Sequence, residues 1–178
     1  MTVIVRETKE TKIRVEAQRG TGTASVDTGL PYFNHMLETF ARYAGLDLTI
    51  SARGDLKHHL MEDVGIAVGA AVAKLVPPTA VRYGSCTLPM DDALVHAAID
   101  VGGRFYYRGR LPNSLYTHWM RSFADHAKVT LHVRVLRGKN RHHVLEAAFK
   151  AVGLALRQAL VDSGTVFSTK GSVALEVK

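Results

Sequence analysis

The chain has 178 residues, of which 47% are hydrophobic, and this is enough to bury a core of ordinary size. Its formal net charge of +7 favours an acidic or phosphorylated partner, although the basic residues are scattered along the chain. No stretch reaches the ~18 apolar residues of a membrane span, and the N-terminus lacks the layout of a signal peptide. The single cysteine, Cys86, excludes an internal disulfide and a thiolate zinc site. We therefore expect a cytoplasmic protein.

The first half of the chain alternates between strand and helix patterns. Ile13, Val15 and Ala17 alternate with charged residues, which predicts a half-buried strand. Asn34 begins a helical pattern that Gly45 ends, and a pair of prolines at Pro77 ends a longer one. The predicted strand, helix, strand and long helix lie at 13–17, 34–44, 46–50 and 59–76.

The second half repeats this order. Two strands about a Gly102-Gly103 turn, a helix, a strand and a second long helix are predicted at 94–101, 105–108, 118–127, 129–135 and 144–160. The order β-β-α-β-α, taken twice, predicts an α+β fold of two pseudo-symmetric halves, each a sheet with helices on one face. We place these halves at residues 1–87 and 88–178, packed together as one compact unit.

A five-residue word, His-His-x-x-Glu, occurs once in each half, at 58–62 and at 142–146. A lone histidine precedes each word, at His35 and His118. The lone histidines are 83 residues apart (118 minus 35) and the words 84 (142 minus 58). Apolar positions after the lone histidines also align at the offset of 83, which indicates an internal repeat. Imidazole nitrogens and carboxylates are common metal ligands, so the repeat predicts a duplicated metal-binding unit.

Helix geometry predicts which of these ligands can share an ion. Side chains four residues apart lie on one face, so the first histidine of each word can grip an ion together with the glutamate. Adjacent side chains diverge by ~100°, so the second histidine would serve a different ion. The full set offers three histidines and one glutamate to each of two ions. Its members are His35, His58, His59, Glu62, His118, His142, His143 and Glu146.

The donor types favour Mn²⁺, because they are nitrogen and oxygen without sulfur, and they leave Fe²⁺, Co²⁺ and Zn²⁺ as alternatives. The three remaining histidines of the second half, His96, His126 and His132, lie outside the repeated pattern and are expected to have no part in the site.

Several segments resemble imidazoleglycerol-phosphate dehydratase, an enzyme of histidine biosynthesis. They are Thr28 to Leu37, His58 to Asp63 and Gly138 to Lys150, together with Thr8 to Thr11 and Ser168 to Gly171, so the resemblance covers nearly the whole chain. The chain departs from the family where Asn34 replaces a usual Asp, where Tyr43 replaces a frequent His, and at Leu56-Lys57, where an acidic residue is common. None of these departures removes a proposed metal ligand.

The resemblance implies a lyase that removes water from imidazole glycerol phosphate and gives imidazole acetol phosphate. It implies two Mn²⁺ ions per active site, bound at subunit contacts within a homo-oligomer of about 24 chains built from trimers. The substrate ring would bind as an imidazolate between the two cations, which would help it to expel the neighbouring hydroxyl. Neither a nucleic acid nor a membrane is expected as a partner.

The resemblance also assigns residues to roles. Glu10, Glu62 and Glu146 are the expected catalytic carboxylates, and Glu10 is the candidate for proton transfer with a metal-bound water. Arginine forks, a hydroxyl and an ammonium suit a phosphate dianion. The expected substrate and phosphate contacts are Glu10, Arg82, Arg104, Lys150, Ser168 and Lys170.

Two other classes of function fit parts of the sequence. A dinuclear metal-dependent phosphoesterase would use the same ligands, but it would release phosphate and form no new carbonyl. A basic RNA-binding module would bind nucleic acid in a salt-sensitive way that survives chelation. The repeated ligands argue against the RNA-binding module, because nucleic-acid binding does not require them.

Overall fold

Two four-stranded sheets and four helices make up the part of the chain, residues 1–166, that this computed structural model describes. The first half contains β1 (Thr2–Glu7), β2 (Thr11–Arg19), β3 (Ala24–Asp27), α1 (Pro31–Ala44), β4 (Leu46–Gly54) and α2 (Lys57–Leu75). The second half contains β5 (Tyr83–Met90), β6 (Ala93–Asp100), β7 (Tyr106–Gly109), α3 (Ser114–Ala127), β8 (Thr130–Arg137) and α4 (Arg141–Ala159).

The predicted α+β class with two pseudo-symmetric halves is confirmed. The strand orders are β1-β2-β4-β3 and β5-β6-β8-β7, so the two sheets have the same topology. In both, the last strand of the order runs parallel to its neighbour and the other pairs are antiparallel. Each half has one strand more than the predicted order β-β-α-β-α, and in the first half neither β1 nor β3 matches a predicted strand range. The edge strands β1 and β5 are only half-buried, so their apolar alternation is weak.

The two halves join through the segment from Val76 to Arg82. Strand β5 begins at Tyr83 and belongs to the second sheet. The division predicted from the sequence, between residues 87 and 88, therefore falls inside this strand. We propose that the boundary between the repeats lies within 76–82, because the Pro77-Pro78 pair that ends α2 stands there.

The helices of the two halves pack on one another between the sheets, α1 against α4 and α2 against α3. Two glycines at equivalent positions, Gly69 and Gly153 (69 plus 84), allow this close approach. A Cβ atom at Gly69 would lie 2.5 Å from the carbonyl oxygen of Phe123, and one at Gly153 would lie 2.9 Å from that of Phe40. Each helix of one repeat is therefore held directly against a helix of the other.

Local caps place the start of the helices that carry the site. Helix α1 begins at Pro31, three residues before the predicted start, because proline fits the first helical position. The side-chain oxygen of Asn34 accepts hydrogen bonds from the backbone and hydroxyl of Thr28, which fixes the entry to α1. The side chain of Asn140 accepts from the backbone N–H of His142 and so caps α4. Within residues 1–166, none of the helices is both long and apolar enough to cross a bilayer.

Candidate metal centre

The first cluster, which we call the α2/α3 cluster, consists of His58 and Glu62 on α2 and His118 on α3. Glu62 Oε2 lies 3.4 Å from His58 Nε2 and 3.2 Å from His118 Nε2. His58 and Glu62 share a helix face, as predicted from their spacing. The third member comes from the other repeat, because α2 packs on α3.

The second cluster, the α1/α4 cluster, consists of His142 and Glu146 on α4 and His35 on α1. Glu146 Oε2 lies 3.0 Å from His142 Nε2 and 3.5 Å from His35 Nε2, and the two imidazole rings are parallel. This cluster has the same composition as the first and again takes two members from one repeat and one from the other. The lone histidine of each half thus joins the word of the other half.

Both clusters have a geometry that suits a divalent cation. Three ligand atoms in each lie within 4.8 Å of one another. Ligands about 2.1 Å from a common ion are spaced about 3 to 3.5 Å apart. His118 Nε2 is buried and has no hydrogen-bond partner among the described residues, although Glu62 stands beside it. A buried ring nitrogen without a hydrogen bond is explained if its lone pair faces a cation.

The α1/α4 cluster has a positive side chain at a position where the first repeat has an apolar one. Lys150 Nζ lies 2.9 Å from Glu146 Oε1, on the oxygen that does not face the histidines, and the equivalent residue in the first half is Ile66 (150 minus 84). Burial is the largest influence on the pKa of Glu146 and raises it. The hydrogen bond and charge of Lys150, with a smaller contribution from His35, outweigh burial, so the net shift is downward. Glu146 is therefore held as a carboxylate.

The second histidine of the first word faces away from the α2/α3 cluster. His59 Nδ1 lies 2.9 Å from Asp55 Oδ1 and 3.5 Å from Glu10 Oε2. The hydrogen bond with Asp55 is the largest cause of the raised pKa of His59, and it lowers the pKa of Asp55 in return. Glu10, the expected proton-transfer residue, belongs to the tight turn between β1 and β2. The Glu10 carboxylate therefore lies beside His59, on the side of the motif that faces away from the α2/α3 cluster.

The second word has a matching arrangement. His143 Nδ1 lies 2.7 Å from Asp92 Oδ1, and His143 Nε2 lies 3.4 Å from Asp91 Oδ2. Both aspartates belong to the turn between β5 and β6, which is equivalent to the turn that carries Glu10. Backbone hydrogen bonds from Lys139 and Asn140, together with His143, hold the pKa of Asp92 well below its usual range.

At each position where the chain departs from the family pattern, the structure shows a defined contact. Asn34 accepts two hydrogen bonds through its amide oxygen, as a carboxylate there would. The acidic residue that Leu56-Lys57 lacks is supplied by Asp55, one helical turn before His59. The centre of the Tyr43 ring lies 5.5 Å from Lys150 Nζ, so the ring makes a cation–π contact with the ammonium group that pairs with Glu146.

Among the expected phosphate contacts, Lys150 lies beside Glu146, whereas the two arginines lie elsewhere in the chain. Arg82 forms a bidentate ion pair with Asp100, at 2.7 and 3.0 Å, and Arg104 adds positive charge near the same carboxylate. The backbone N–H of Arg82 donates to the carbonyl of Ala159, at the far end of α4 from Glu146. Thirteen residues separate these ends (159 minus 146), which is about 20 Å of helix. Ser168 and Lys170 lie outside the described residues.

Sequence reasoning missed the partners of the second histidines. Asp55 stands four residues before His59, a helical spacing that could have identified it. Asp92 is 51 residues from His143, and no sequence pattern links them. The three remaining histidines make local contacts, in which His96 bonds Thr87, His126 bonds a backbone carbonyl and His132 lies beside Tyr106.

The chain is similar to one family of proteins both in sequence and in fold. The family model described as imidazoleglycerol-phosphate dehydratase matches residues 28–156. Imidazoleglycerol-phosphate dehydratases of Anaeromyxobacter sp. and Dinoroseobacter shibae are 42% and 45% identical, over 94% and 96% of this chain and 91% and 97% of theirs. The crystal structure of the Pyrococcus furiosus enzyme, in complex with (S)-C348, has a TM-score of 0.86 at 38% identity and covers 96% of this chain and 100% of its own. The Staphylococcus aureus enzyme has a TM-score of 0.80 at 31% identity, over 92% and 100%. This chain therefore belongs to the imidazoleglycerol-phosphate dehydratase family.

Proposed function

We propose that the α2/α3 and α1/α4 clusters each bind a divalent ion, with Mn²⁺ as the first candidate, in the service of the family reaction. The chain is a hydro-lyase of histidine biosynthesis, an imidazoleglycerol-phosphate dehydratase. The observation that carries the metal proposal is the pair of repeat-related clusters, each with two imidazoles and a carboxylate within 4.8 Å. The ligand atoms are nitrogen and oxygen, which suit Mn²⁺, and Fe²⁺, Co²⁺ and Zn²⁺ remain alternatives.

The glutamates and Lys150 have different roles in the proposed reaction. Bound cations stabilise the negative charge that develops on the substrate ring when a proton leaves. Glu62 and Glu146 hold the ions, and Lys150 keeps the carboxylate of Glu146 in place. Glu10 is more than half exposed beside His59, so its carboxylate can reach a substrate and move a proton.

We further propose that each active site contains residues of more than one chain. Glu146 and Arg82 are separated by about 20 Å of α4, whereas the ring and the phosphate of the substrate are joined by only three carbons. A single substrate cannot therefore contact both residues of one chain. His59 and His143 form hydrogen bonds with Asp55 and Asp92 and not with the clusters of their own chain, so they are free to serve an ion shared with a neighbouring chain. A homo-oligomer of about 24 chains built from trimers, working in the cytoplasm, meets this requirement.

Activity with and without metal tests the role of the two clusters. Metal-free protein should not turn over imidazole glycerol phosphate, and added Mn²⁺ should restore formation of imidazole acetol phosphate. Glu62→Gln and Glu146→Gln should each lower kcat/KM at least about 100-fold, because each removes a charged ligand. Glu16→Gln is the matched control, since within residues 1–166 the ion-pair partner of Glu16 is Arg14, on the outer face of the first sheet. Full activity in the metal-free protein would refute the metal role.

The same assay separates the dehydratase from a phosphoesterase. A dehydratase forms a new carbonyl and leaves the phosphate ester intact, so inorganic phosphate should not accumulate. Release of phosphate in step with substrate loss would favour the hydrolase instead. No contact in residues 1–166 favours hydrolysis over the reaction of the family.

Light scattering of the protein before and after chelation tests the assembly. If the second histidines bind ions across subunit contacts, removal of metal should convert the large particle to smaller species, and Mn²⁺ should restore it. A monomer that binds its full complement of Mn²⁺ would contradict the proposal.

A further inference from the structure

The second histidine of each word has a carboxylate within hydrogen-bond distance of its Nδ1 atom. The partners are Asp55 for His59, at 2.9 Å, and Asp92 for His143, at 2.7 Å. The duplication did not copy this contact, because the residue equivalent to Asp55 is Lys139 (55 plus 84). Asp55 comes from the turn before α2, whereas Asp92 comes from the turn between β5 and β6. The same contact is therefore built twice from unrelated positions.

We infer that Asp55 and Asp92 are positioning residues, which hold the ring proton of His59 and His143 on Nδ1 and leave Nε2 free to bind a metal ion. A neutral imidazole carries one N–H, and a carboxylate can only accept from it, so the lone pair must lie on the other nitrogen. The inference rests on the proposed metal function. It adds the residues that select the binding atom and fix the ring orientation.

The contacts of Asp92 show why its carboxylate is well placed for this role. Its Oδ2 atom accepts hydrogen bonds from the backbone N–H groups of Lys139 and Asn140, at 2.6 and 3.1 Å. These bonds prevent rotation of the carboxylate and direct Oδ1 at His143. Asp55 is held less firmly, because its Oδ1 atom accepts from both His59 and the N–H of Leu56. We therefore expect Asp92 to contribute more than Asp55.

The surroundings of His143 Nε2 are consistent with a ligand atom. Asp91 Oδ2 and Asn140 Nδ2 each lie 3.4 Å from it, beyond the usual length of a strong hydrogen bond. The carboxylate of Asp91 adds negative charge beside the atom, which favours a cation. The Nδ1 atom is therefore held by a short hydrogen bond, whereas the contacts of the Nε2 atom are long.

The test is calorimetric titration of the full-length, metal-free protein with Mn²⁺. Asp92→Asn has nearly the same shape, and its amide oxygen can still accept from the backbone N–H groups of Lys139 and Asn140. Its NH₂ group then faces His143 Nδ1 and drives the ring proton to Nε2, where it blocks metal binding. We expect Mn²⁺ affinity to fall roughly 10- to 100-fold in Asp92→Asn, and by less in Asp55→Asn, in protein that remains folded at the temperature of the titration.

Asp125→Asn is the matched control. Asp125 is as exposed as Asp92, 43% against 41%, and its ion-pair partner is Lys128. Mn²⁺ affinity should be unchanged in this variant. The double variant Asp92→Asn/His143→Gln should bind Mn²⁺ no more weakly than His143→Gln alone, because Asp92 acts through His143.

Two outcomes would overturn the positioning role alone: wild-type Mn²⁺ affinity in Asp92→Asn, or additive losses in the double variant. A wild-type protein that binds no divalent ion would refute the proposed metal function together with this inference. The two failures are thus distinguishable in one set of titrations.

Discussion

At the scale of single residues, the Arg82–Asp100 pair shows how one contact serves both stability and the expected phosphate site. The pair is bidentate and about three-quarters buried, so its charges are poorly screened by solvent. Burial is the largest influence on the pKa of Asp100 and raises it. Hydrogen bonds from Arg82 and the N–H of Gly102 outweigh burial and bring the pKa below its ordinary value. The pair also fixes the direction of the Arg82 guanidinium.

Asp100→Asn should lower the free energy of unfolding at neutral pH by roughly 1–3 kcal/mol, because it leaves a partly buried arginine without its charged partner. A depressed folded-state pKa contributes stability above the ordinary carboxyl pKa, near 4, and this contribution is lost as pH falls through the folded-state value. The difference between wild type and Asp100→Asn should therefore shrink in acid. Urea unfolding at a series of pH values measures it.

Asp27→Asn provides the comparison for an exposed pair. Asp27 contacts Arg53 on the surface, where solvent screens the charges, so stability should change little. An equal loss of unfolding free energy in both variants, or a loss in Asp100→Asn that does not depend on pH, would contradict the proposed contribution of the Arg82–Asp100 pair.

At the scale of elements, the site depends on how closely helices of different repeats approach. His118 reaches Glu62 because α3 lies against α2, and His35 reaches Glu146 because α1 lies against α4. Gly69 stands at the close point of the first pair and Gly153 at that of the second. The helices can therefore approach closely enough for ligands from two repeats to share an ion.

Gly69→Ala should destabilise the protein and weaken metal binding at the α2/α3 cluster. Alanine favours a helix over glycine by about 1 kcal/mol, so without a clash the change would stabilise. The new Cβ would lie 2.5 Å from the backbone oxygen of Phe123, and such overpacking costs roughly 1–3 kcal/mol. Thermal unfolding and Mn²⁺ stoichiometry measure both effects.

Gly153→Ala is the internal comparison for this prediction. Its Cβ would lie 2.9 Å from the oxygen of Phe40, so the loss of stability should be smaller than in Gly69→Ala. A rise in unfolding temperature in both variants would show that the helices separate without cost.

At the scale of the whole molecule, the proposed active site is larger than one chain. The clusters lie near the N-terminal turns of α2 and α4, and the arginines of the expected phosphate site lie at the opposite end of α4. Closed symmetric assembly can bring one end of a chain to the other end of its neighbour. Catalysis and assembly should therefore be coupled.

Mixing two inactive variants tests this coupling. Glu146→Gln and Arg104→Ala should each be nearly inactive alone, since each lacks one part of the site. When metal-free samples are mixed and reassembled with Mn²⁺, about one quarter of the sites, one half times one half, should combine the intact parts of two chains. Recovery of activity near this level is expected. No recovery from particles shown to contain both variants would place the whole site in one chain.

The sequence by itself determined the repeat, the fold class and the pairing of residues along each helix. His58 with Glu62, and His142 with Glu146, follow from a spacing of four, because helix geometry fixes that contact locally. The divergence of His59 from His58 is likewise local, since adjacent helical side chains point about 100° apart. These features need no knowledge of how the halves pack.

Only the tertiary structure decided which parts meet across the chain. The sequence left open the partition of ligands, and the packing of α1 on α4 and α2 on α3 gives each word the lone histidine of the other repeat. The contact of Asp92 with His143 spans 51 residues and depends on a turn and a helix start that meet in space. Such contacts are set by the packing of apolar faces, whose partners a periodic pattern does not specify.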